Sequence, residues 1–247
     1  MRKLVVLTVL AVLGTGSALA QAPPPPEPKI WTVAASAGLA LTSGNSRTTS
    51  VNAAYDIKYE PLMPARNSIK SDGLFLRTKT ESVLSANRLS LNGRDEFKLS
   101  TRAFVFGQTQ YLRDEFKKID YLVAPGGGIG YKIFDTMATK LAVDTGAGGV
   151  LEKDTGFELR RSGAVTASEK LTQTLTESTT LTQAFTGLWK MKAWDDSLYT
   201  FSLGIAAAMS AHTQLKVEAL DTLKNRPPLP TVKKNDVAVL MAIVYKI

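Results

Sequence analysis

From residue 31 to the end of the chain, apolar and polar side chains alternate with a period of two. One face of the first segment carries Trp31, Val33, Ala35, Ala37, Leu39 and Leu41, and the other carries Thr32, Ala34, Ser36, Gly38, Ala40 and Thr42. That is the pattern of a strand with one apolar face. After Ser43-Gly44-Asn45-Ser46, a turn composition, the alternation resumes with Val51, Ala53, Tyr55, Ile57 and Tyr59 against Asn52, Ala54, Asp56 and Lys58. The first two segments therefore predict a hairpin.

The pattern recurs at regular intervals. Leu89, Leu91, Phe97 and Leu99 oppose Arg88, Ser90, Asn92, Arg94, Glu96 and Lys98. Tyr121, Val123, Ile129, Tyr131 and Ile133 oppose Asp120, Gly126, Gly128, Gly130 and Lys132. Further strands are expected around Leu141, Val143, Ala147 and Leu151, around Tyr199, Phe201, Leu203 and Ile205, and at the end around Val237, Val239, Met241, Ile243 and Tyr245. Segments 69–81, 102–112 and 174–189 have mixed faces and are read as strands from their spacing. About twelve strands result, each able to reach the roughly 9 to 11 residues that a tilted membrane-crossing strand needs.

Connections are expected to alternate in length. Those at 61–66, 100–101, 134–138, 171–174 and 210–211 read as short turns; those at 116–119, 152–156, 190–196 and 224–234 read as longer and more charged. Short turns at one end and longer loops at the other suit a bacterial outer-membrane barrel. A soluble periplasmic β-barrel binding protein also alternates, but its polar face meets bulk water and can be heavily charged. Here many positions on the polar face are Gly, Ala, Ser or Thr, and the apolar face carries Trp, Tyr and Phe near strand ends, as an interfacial girdle does.

The N-terminus fixes the compartment. Arg2 and Lys3 precede an apolar run over 4–13, and Ala18-Leu19-Ala20 supplies a small-x-small cleavage pattern. Residues 1–20 read as a signal peptide, 21–29 as a proline-rich tether and 30–247 as the barrel. The run is too short to span a bilayer as a helix. The expected location is the outer membrane of a Gram-negative bacterium, after export and insertion of the last strand by the barrel-insertion machinery.

Composition narrows the chemistry. Among 247 residues there is no cysteine and one histidine, so thiolate chemistry and the usual zinc sites have no ligands. No cofactor and no metal are expected. The net charge of +8 falls by two when Arg2 and Lys3 leave with the leader, and an exported protein has no nucleic-acid partner to explain the remainder. Outer-membrane lipids, lipopolysaccharide phosphates and small anionic solutes are the partners the charge suits. The loop with Lys224, Arg226, Lys233 and Lys234 is expected to place bases at the outer mouth.

Several stretches resemble a salt-induced outer-membrane protein family, itself a domain of unknown function. They are Gly44-Asn45, Asp95-Glu96-Phe97-Lys98-Leu99-Ser100-Thr101-Arg102, Tyr111-Leu112-Arg113-Asp114-Glu115-Phe116 followed by Asp120-Tyr121, Gly128-Ile129-Gly130-Tyr131, Leu141 with Gly146-Ala147-Gly148, and Asn235-Asp236 with Tyr245. The resemblance covers residues 31–247 and implies an outer-membrane β-barrel linked to salt stress, with no assigned catalytic residue. Members usually end in an aromatic residue, whereas this chain ends Tyr245-Lys246-Ile247.

By parity, Asp56, Lys58, Arg88, Arg94, Glu96, Lys98, Asp120, Lys132, Lys140, Asp144, Glu152, Arg160, Lys216 and Glu218 line the lumen. They either plug the barrel or border a narrow channel with a weak preference for anions. Gly126, Gly128, Gly130, Gly146 and Gly148 share a face and read as a thin patch that admits long side chains from the opposite wall and widens the lumen. Gly126-Gly127-Gly128-Ile129-Gly130 lacks the helix and the lysine of a phosphate loop. His212 is expected to point into the lumen beside a short turn. It is the one residue on which a phospholipase-like acyl hydrolase could rest, with Ser202, Ser210 and Asn235 as partners. The leading expectation is a barrel without enzymatic activity, structural or a narrow channel.

Overall fold

A computed structural model describes residues 30–42, 48–61, 66–80 and 83–247. The leader, the tether and the first loop lie outside the described residues. The alternation predicted above forms twelve antiparallel strands that close into one barrel. In order they are β1 (Trp31–Thr42), β2 (Thr48–Tyr59), β3 (Asn67–Thr80), β4 (Val83–Lys98), β5 (Ala103–Asp114), β6 (Ile119–Asp135), β7 (Thr139–Asp154), β8 (Arg160–Thr176), β9 (Thr179–Lys190), β10 (Ala193–Ala208), β11 (Thr213–Lys224) and β12 (Asn235–Lys246). Each strand pairs with its sequence neighbours, and β12 closes the circle on β1. No helix among the described residues is long and apolar enough to cross a membrane.

Register decides which side chains share a face, because directly paired residues point the same way. Ala35 pairs with Tyr55, Tyr55 with Gly73, and Gly73 with Leu91, all outward. Ala34 pairs with Asp56, and Asp56 with Asp72, both inward. The outward set is apolar and exposed, including Trp31, Leu39, Ile129, Ile205, Val239 and Ile243. A soluble barrel hides that set, whereas a barrel that crosses a membrane turns it to lipid. Aromatic belts bound it. Trp31 packs against Tyr59 at the end carrying both termini, the rings tilted by 42° with centroids 4.6 Å apart. Near the other end Trp189 Nε1 donates to Tyr199 Oη at 3.0 Å.

The seam is the thinnest part of the wall. β1 and β12 share four registered pairs, from Ala34 with Lys246 to Ala37 with Ile243. Beyond them Asn52, buried on β2, reaches past Gly38, and its Nδ2 donates to the Met241 carbonyl at 3.4 Å. A Cβ at position 38 would stand 1.9 Å from that carbonyl oxygen, so glycine is what lets the asparagine close the gap.

Two expectations about the connections change. The stretch 171–174 is not a turn: β8 continues to Thr176 and the chain reverses at 177–178. The alternation of short and long connections is also absent among the described loops. Charged residues that read as loop belong to long strands, as Glu152 and Asp154 do on β7 and Lys190 does on β9, and β9 and β10 meet in a turn at 191–192. Among the fully described loops only 225–234 is long, and it lies at the end opposite the termini.

Candidate functional site: a lumen sealed at one mouth

Register places Asp56, Lys58, Arg88, Arg94, Glu96, Lys98, Lys132, Lys140, Asp144, Glu152, Arg160, Lys216 and Glu218 on the inner wall. Asp120 is the exception. An irregularity in the β6–β7 ladder between Ile119 and Tyr121 turns Ile119 inward. Asp120 is left exposed, accepting from Thr155 Oγ1 at 2.6 Å. A bulge adds one residue to a strand and so inverts the parity of everything beyond it. The same effect brings Lys132 and Asp135 onto one face, 2.7 Å apart across a second shift in that ladder.

The half of the lumen nearest the termini is wet. Lys58, Lys70, Lys98, Lys132, Lys140, Lys170, Lys216, Lys246 and Arg94 face Asp56, Glu60, Asp72, Glu96, Asp135, Asp144 and Glu218 there. The side chains of Lys70 and Lys58 keep 40% and 37% of their surface accessible. Arg94 is the hub. Its Nε donates to Glu96 Oε1 (2.8 Å), Nη1 to Gln108 Oε1 (3.0 Å) and Nη2 to Asp144 Oδ2 (2.9 Å). Its guanidinium lies 3.7 Å from the centroid of Phe106, a cation over an aromatic face. At the rim Glu60 is paired with Lys58 and with Lys98 (2.9 Å). Burial pushes its carboxyl up, but hydrogen bonds and charge from the two lysines outweigh burial and hold it at about 2.

The glycine patch is a different object from the one the sequence suggests. Phe104 and Phe106 on the adjacent strand β5 point inward and lie over it, each buried. A Cβ at Gly130 would fall 2.2 Å from Phe104 Cζ, and one at Gly128 would fall 2.1 Å from the Thr145 carbonyl oxygen and 2.5 Å from Gly146 Cα. The patch therefore does not widen the lumen. It is a close approach of two backbones, filled from the neighbouring strand.

Above it the barrel is packed solid. Leu112, Ile119, Leu122, Ala124, Val150, Ala164 and Leu188 form one buried cluster, and Leu76, Leu220 and Leu240 form another. Between the second cluster and the mouth Arg88 spans from β4 to hydrogen-bond Thr222 on β11. The cavity bordered by Ser36, Asn52, Leu74, Lys216, Glu218 and Leu240 measures about 30 Å³, room for ordered water but not for a solute of drug size.

The outer mouth carries a lattice of charge that is buried except at Arg160, whose side chain is about half exposed. Lys224 Nζ lies 2.9 Å from Glu152 Oε1 and 2.7 Å from Asp154 Oδ1. Lys190 Nζ lies 2.8 Å from Asp196 Oδ1 and also contacts Glu152. Arg160 joins all three carboxylates, at 2.9 Å to Glu152, at 3.2 Å to Asp196, and in contact with Asp154. Three bases thus meet three acids. Lys117, fully buried in the loop between β5 and β6, reaches across the mouth to Asp236 (2.9 Å) and to the carbonyls of Lys234 (2.7 Å) and Lys233 (3.1 Å). Lys224 is therefore not a base at the open mouth, as its place in the sequence suggests, but a 1%-exposed member of the seal. Arg226 is drawn to Asp195 at 3.4 Å.

His212 does not face the lumen. It sits in the turn before β11, exposed, with its ring beside that of Tyr245 and Nδ1 3.2 Å from the Lys246 carbonyl. The Ser210 hydroxyl lies 2.6 Å from that of Thr213 and accepts the His212 backbone N–H. The ring is thus engaged by backbone, and no serine hydroxyl is hydrogen-bonded to it among the described residues. No group of three or more His, Cys, Asp or Glu able to hold a metal occurs among the described residues.

Fold and lumen together define a membrane-crossing β-barrel, wet at the end bearing the termini and shut at the other. Within that class, the chain belongs to the family described as "Protein of unknown function, DUF481", whose model matches residues 35–247. No curated protein matches it in sequence. Among solved structures it is similar to the NanC porin (TM-score 0.47, 9% identity, 87% of this chain and 96% of that one). It is similar also to the translocator domain of the autotransporter NalP from Neisseria meningitidis (0.48, 11%, 90% and 90%) and to the COG4313 outer membrane channel from Pseudomonas putida F1 (0.48, 14%, 88% and 94%).

Proposed function

We propose that the protein is an outer-membrane barrel without enzymatic activity whose resting state is closed: an envelope protein with an anion-favouring vestibule facing the periplasm, rather than an open diffusion pore. The carrying observation is the outer half of the lumen, where two aliphatic clusters, the Arg88 crossbar and the Lys117 and Lys224 ion pairs occupy the section a solute would need. Bases outnumber acids on the wet inner wall, so whatever enters from that side is drawn from the anions. The link to salt stress implied by the sequence resemblance fits a seal of this kind. Salt screens exposed pairs over a Debye length of about 8–10 Å, but acts far less on pairs withdrawn from solvent.

Planar-bilayer recording tests it. Correctly folded protein, identified by heat-modifiable migration, is expected to give no steady conductance. Trimming Arg88, Leu220 and Leu240 to alanine together is expected to produce current with a reversal potential on the chloride side. Ohmic conductance of the unaltered protein refutes the closed state, and cation selectivity of the trimmed variant refutes the vestibule argument. Fractionation of the mature protein with the outer membrane is the matching expectation for location.

A further inference from the structure

Outside the seal, on the rim where β8 meets the turn between β9 and β10, lies a groove of about 310 Å³ lined by Arg160, Arg161, Ser162, Lys190, Lys192 and Asp196. Its size is at the lower end of small-molecule sites, roughly 300–1,000 Å³. The charges in and behind it do not cancel. Arg160, Lys190 and Lys224 are consumed by Glu152, Asp154 and Asp196, and the nearby Asp195 is taken by Arg226. Arg161 and Lys192, both exposed, make no ion pair among the described residues. Two uncompensated cations therefore flank a cleft whose third base, Arg160, keeps 47% of its side chain accessible.

We propose that this groove binds a phosphate monoester. At neutral pH such a group carries a charge of about −1.5 to −2 with three acceptor oxygens, matching two free cations and a guanidinium edge. The rim also says how the phosphate is presented. Arg161 pairs with Leu151 on the outward, lipid-facing side; the next outward position is Gly163, against which the Met191 side chain lies, and Val165, paired with Trp189, continues that surface two outward positions below Arg161. Trp194, 59% exposed, follows Ala193, which also lines the groove. A headgroup seated between Arg161 and Lys192 has its acyl chains directed along Val165 and Trp189, so a phosphorylated glucosamine lipid of the outer leaflet fits better than a free anion. The site rests on the outer-membrane reading above.

The experiment titrates the folded barrel in detergent with three probes: bis-phosphorylated lipid A, the same lipid enzymatically dephosphorylated, and soluble glucosamine 1-phosphate. Native mass spectrometry reads occupancy. The proposal expects lipid A to bind, its dephosphorylated form to bind at least tenfold more weakly, and the double variant Arg161→Gln/Lys192→Gln to lose the same tenfold. Arg77→Gln, outward on β3 and away from the groove, keeps full binding. Displacement by glucosamine 1-phosphate at similar concentration assigns the site to soluble phosphate esters; failure to displace assigns it to the lipid. Equal binding of the two lipids, or a double variant that binds like the parent, overturns the site. Vesicle flotation separates the premises, because a barrel that does not float refutes the membrane reading while the soluble probe still reads the groove.

Discussion

Lys224→Met isolates the energetics of the seal. The ammonium is 1% exposed and sits between two carboxylates that are themselves almost fully withdrawn from solvent. Methionine keeps the length of the stem but removes the charge, leaving Arg160 and Lys190 to balance Glu152, Asp154 and Asp196. Removing one partner of a buried ion pair costs about 3–5 kcal/mol, because the other charge stays behind unpaired. That is a shift in the unfolding equilibrium of roughly a hundredfold to several thousandfold. Urea unfolding from lipid vesicles, followed by tryptophan fluorescence, measures it. The cause is checked with Lys224→Met/Asp154→Asn, which restores two bases against two acids without touching the Glu152–Lys190 contact. The double variant is expected to be at least about 1 kcal/mol more stable than the single one. A single variant within about 1 kcal/mol of the parent, or a double variant less stable than the single, would refute the view that this lattice is a desolvated, mutually dependent unit.

Gly128→Ala is expected to lower the yield of heat-modifiable barrel, because its methyl group would meet the Thr145 carbonyl at 2.1 Å, whereas Gly107→Ala and Gly149→Ala, with nothing within 4 Å, fold normally. Glu60 has a folded pKa of about 2 against an ordinary 4.5. The stability it contributes is complete above the unfolded value and is lost as pH falls from about 4.5 through 2, so an acid titration of unfolding shows a step there that Glu60→Gln removes. His212→Ala is expected to leave barrel stability nearly unchanged and to reveal no ester hydrolysis lost relative to the parent, since the ring contacts one backbone carbonyl and the Tyr245 ring.

Parity alone was enough to read the barrel. Strand 31–42 is recoverable residue by residue because one face is largely apolar while the other is small or polar, and a slip of one residue would exchange them; the last strand, 235–246, has the same continuous apolar outer face, although its inner face also carries Leu240 and Val244, which are buried in the lumen. What parity cannot carry is anything that breaks the count. The irregularity near residue 120 removes Asp120 from the inner wall, and the shift between Lys132 and Phe134 puts Asp135 there instead. β5 looked mixed because its inward face bears Phe104, Phe106 and Leu112, apolar residues on the side where charge was expected. They point inward for a reason visible only once β5 and β6 are paired, namely that the glycines opposite leave room for them.

The seal was hidden by the same difficulty at larger scale. Glu152, Lys190, Asp196 and Lys224 come from four separate strands, and nothing in their local sequence distinguishes a charge at a solvated strand end from one folded over the mouth. Their spacing from clear inward positions was the available signal: Glu152 and Asp154 share parity with Asp144 along β7, and Lys224 shares it with Lys216 and Glu218 along β11. That parity already assigns Glu152 to the inner wall; followed to the strand ends instead of being cut where charge density suggests a loop, it places Asp154, Lys190, Asp196 and Lys224 inside as well. Lys117 has no such signal, because it belongs to a loop and its partners lie on another. The consequence reaches function. Read as loops, these residues make an open, charged entrance; read as strand ends, they neutralise one another, and the cations left uncompensated at this end include Arg161 and Lys192 on the outer rim. Lys233 and Lys234, exposed in the loop 225–234 and without an ion pair among the described residues, are the bases the sequence places at the mouth that stay there; the remaining positive charge of the outer end thus lies on its surface, outside the seal.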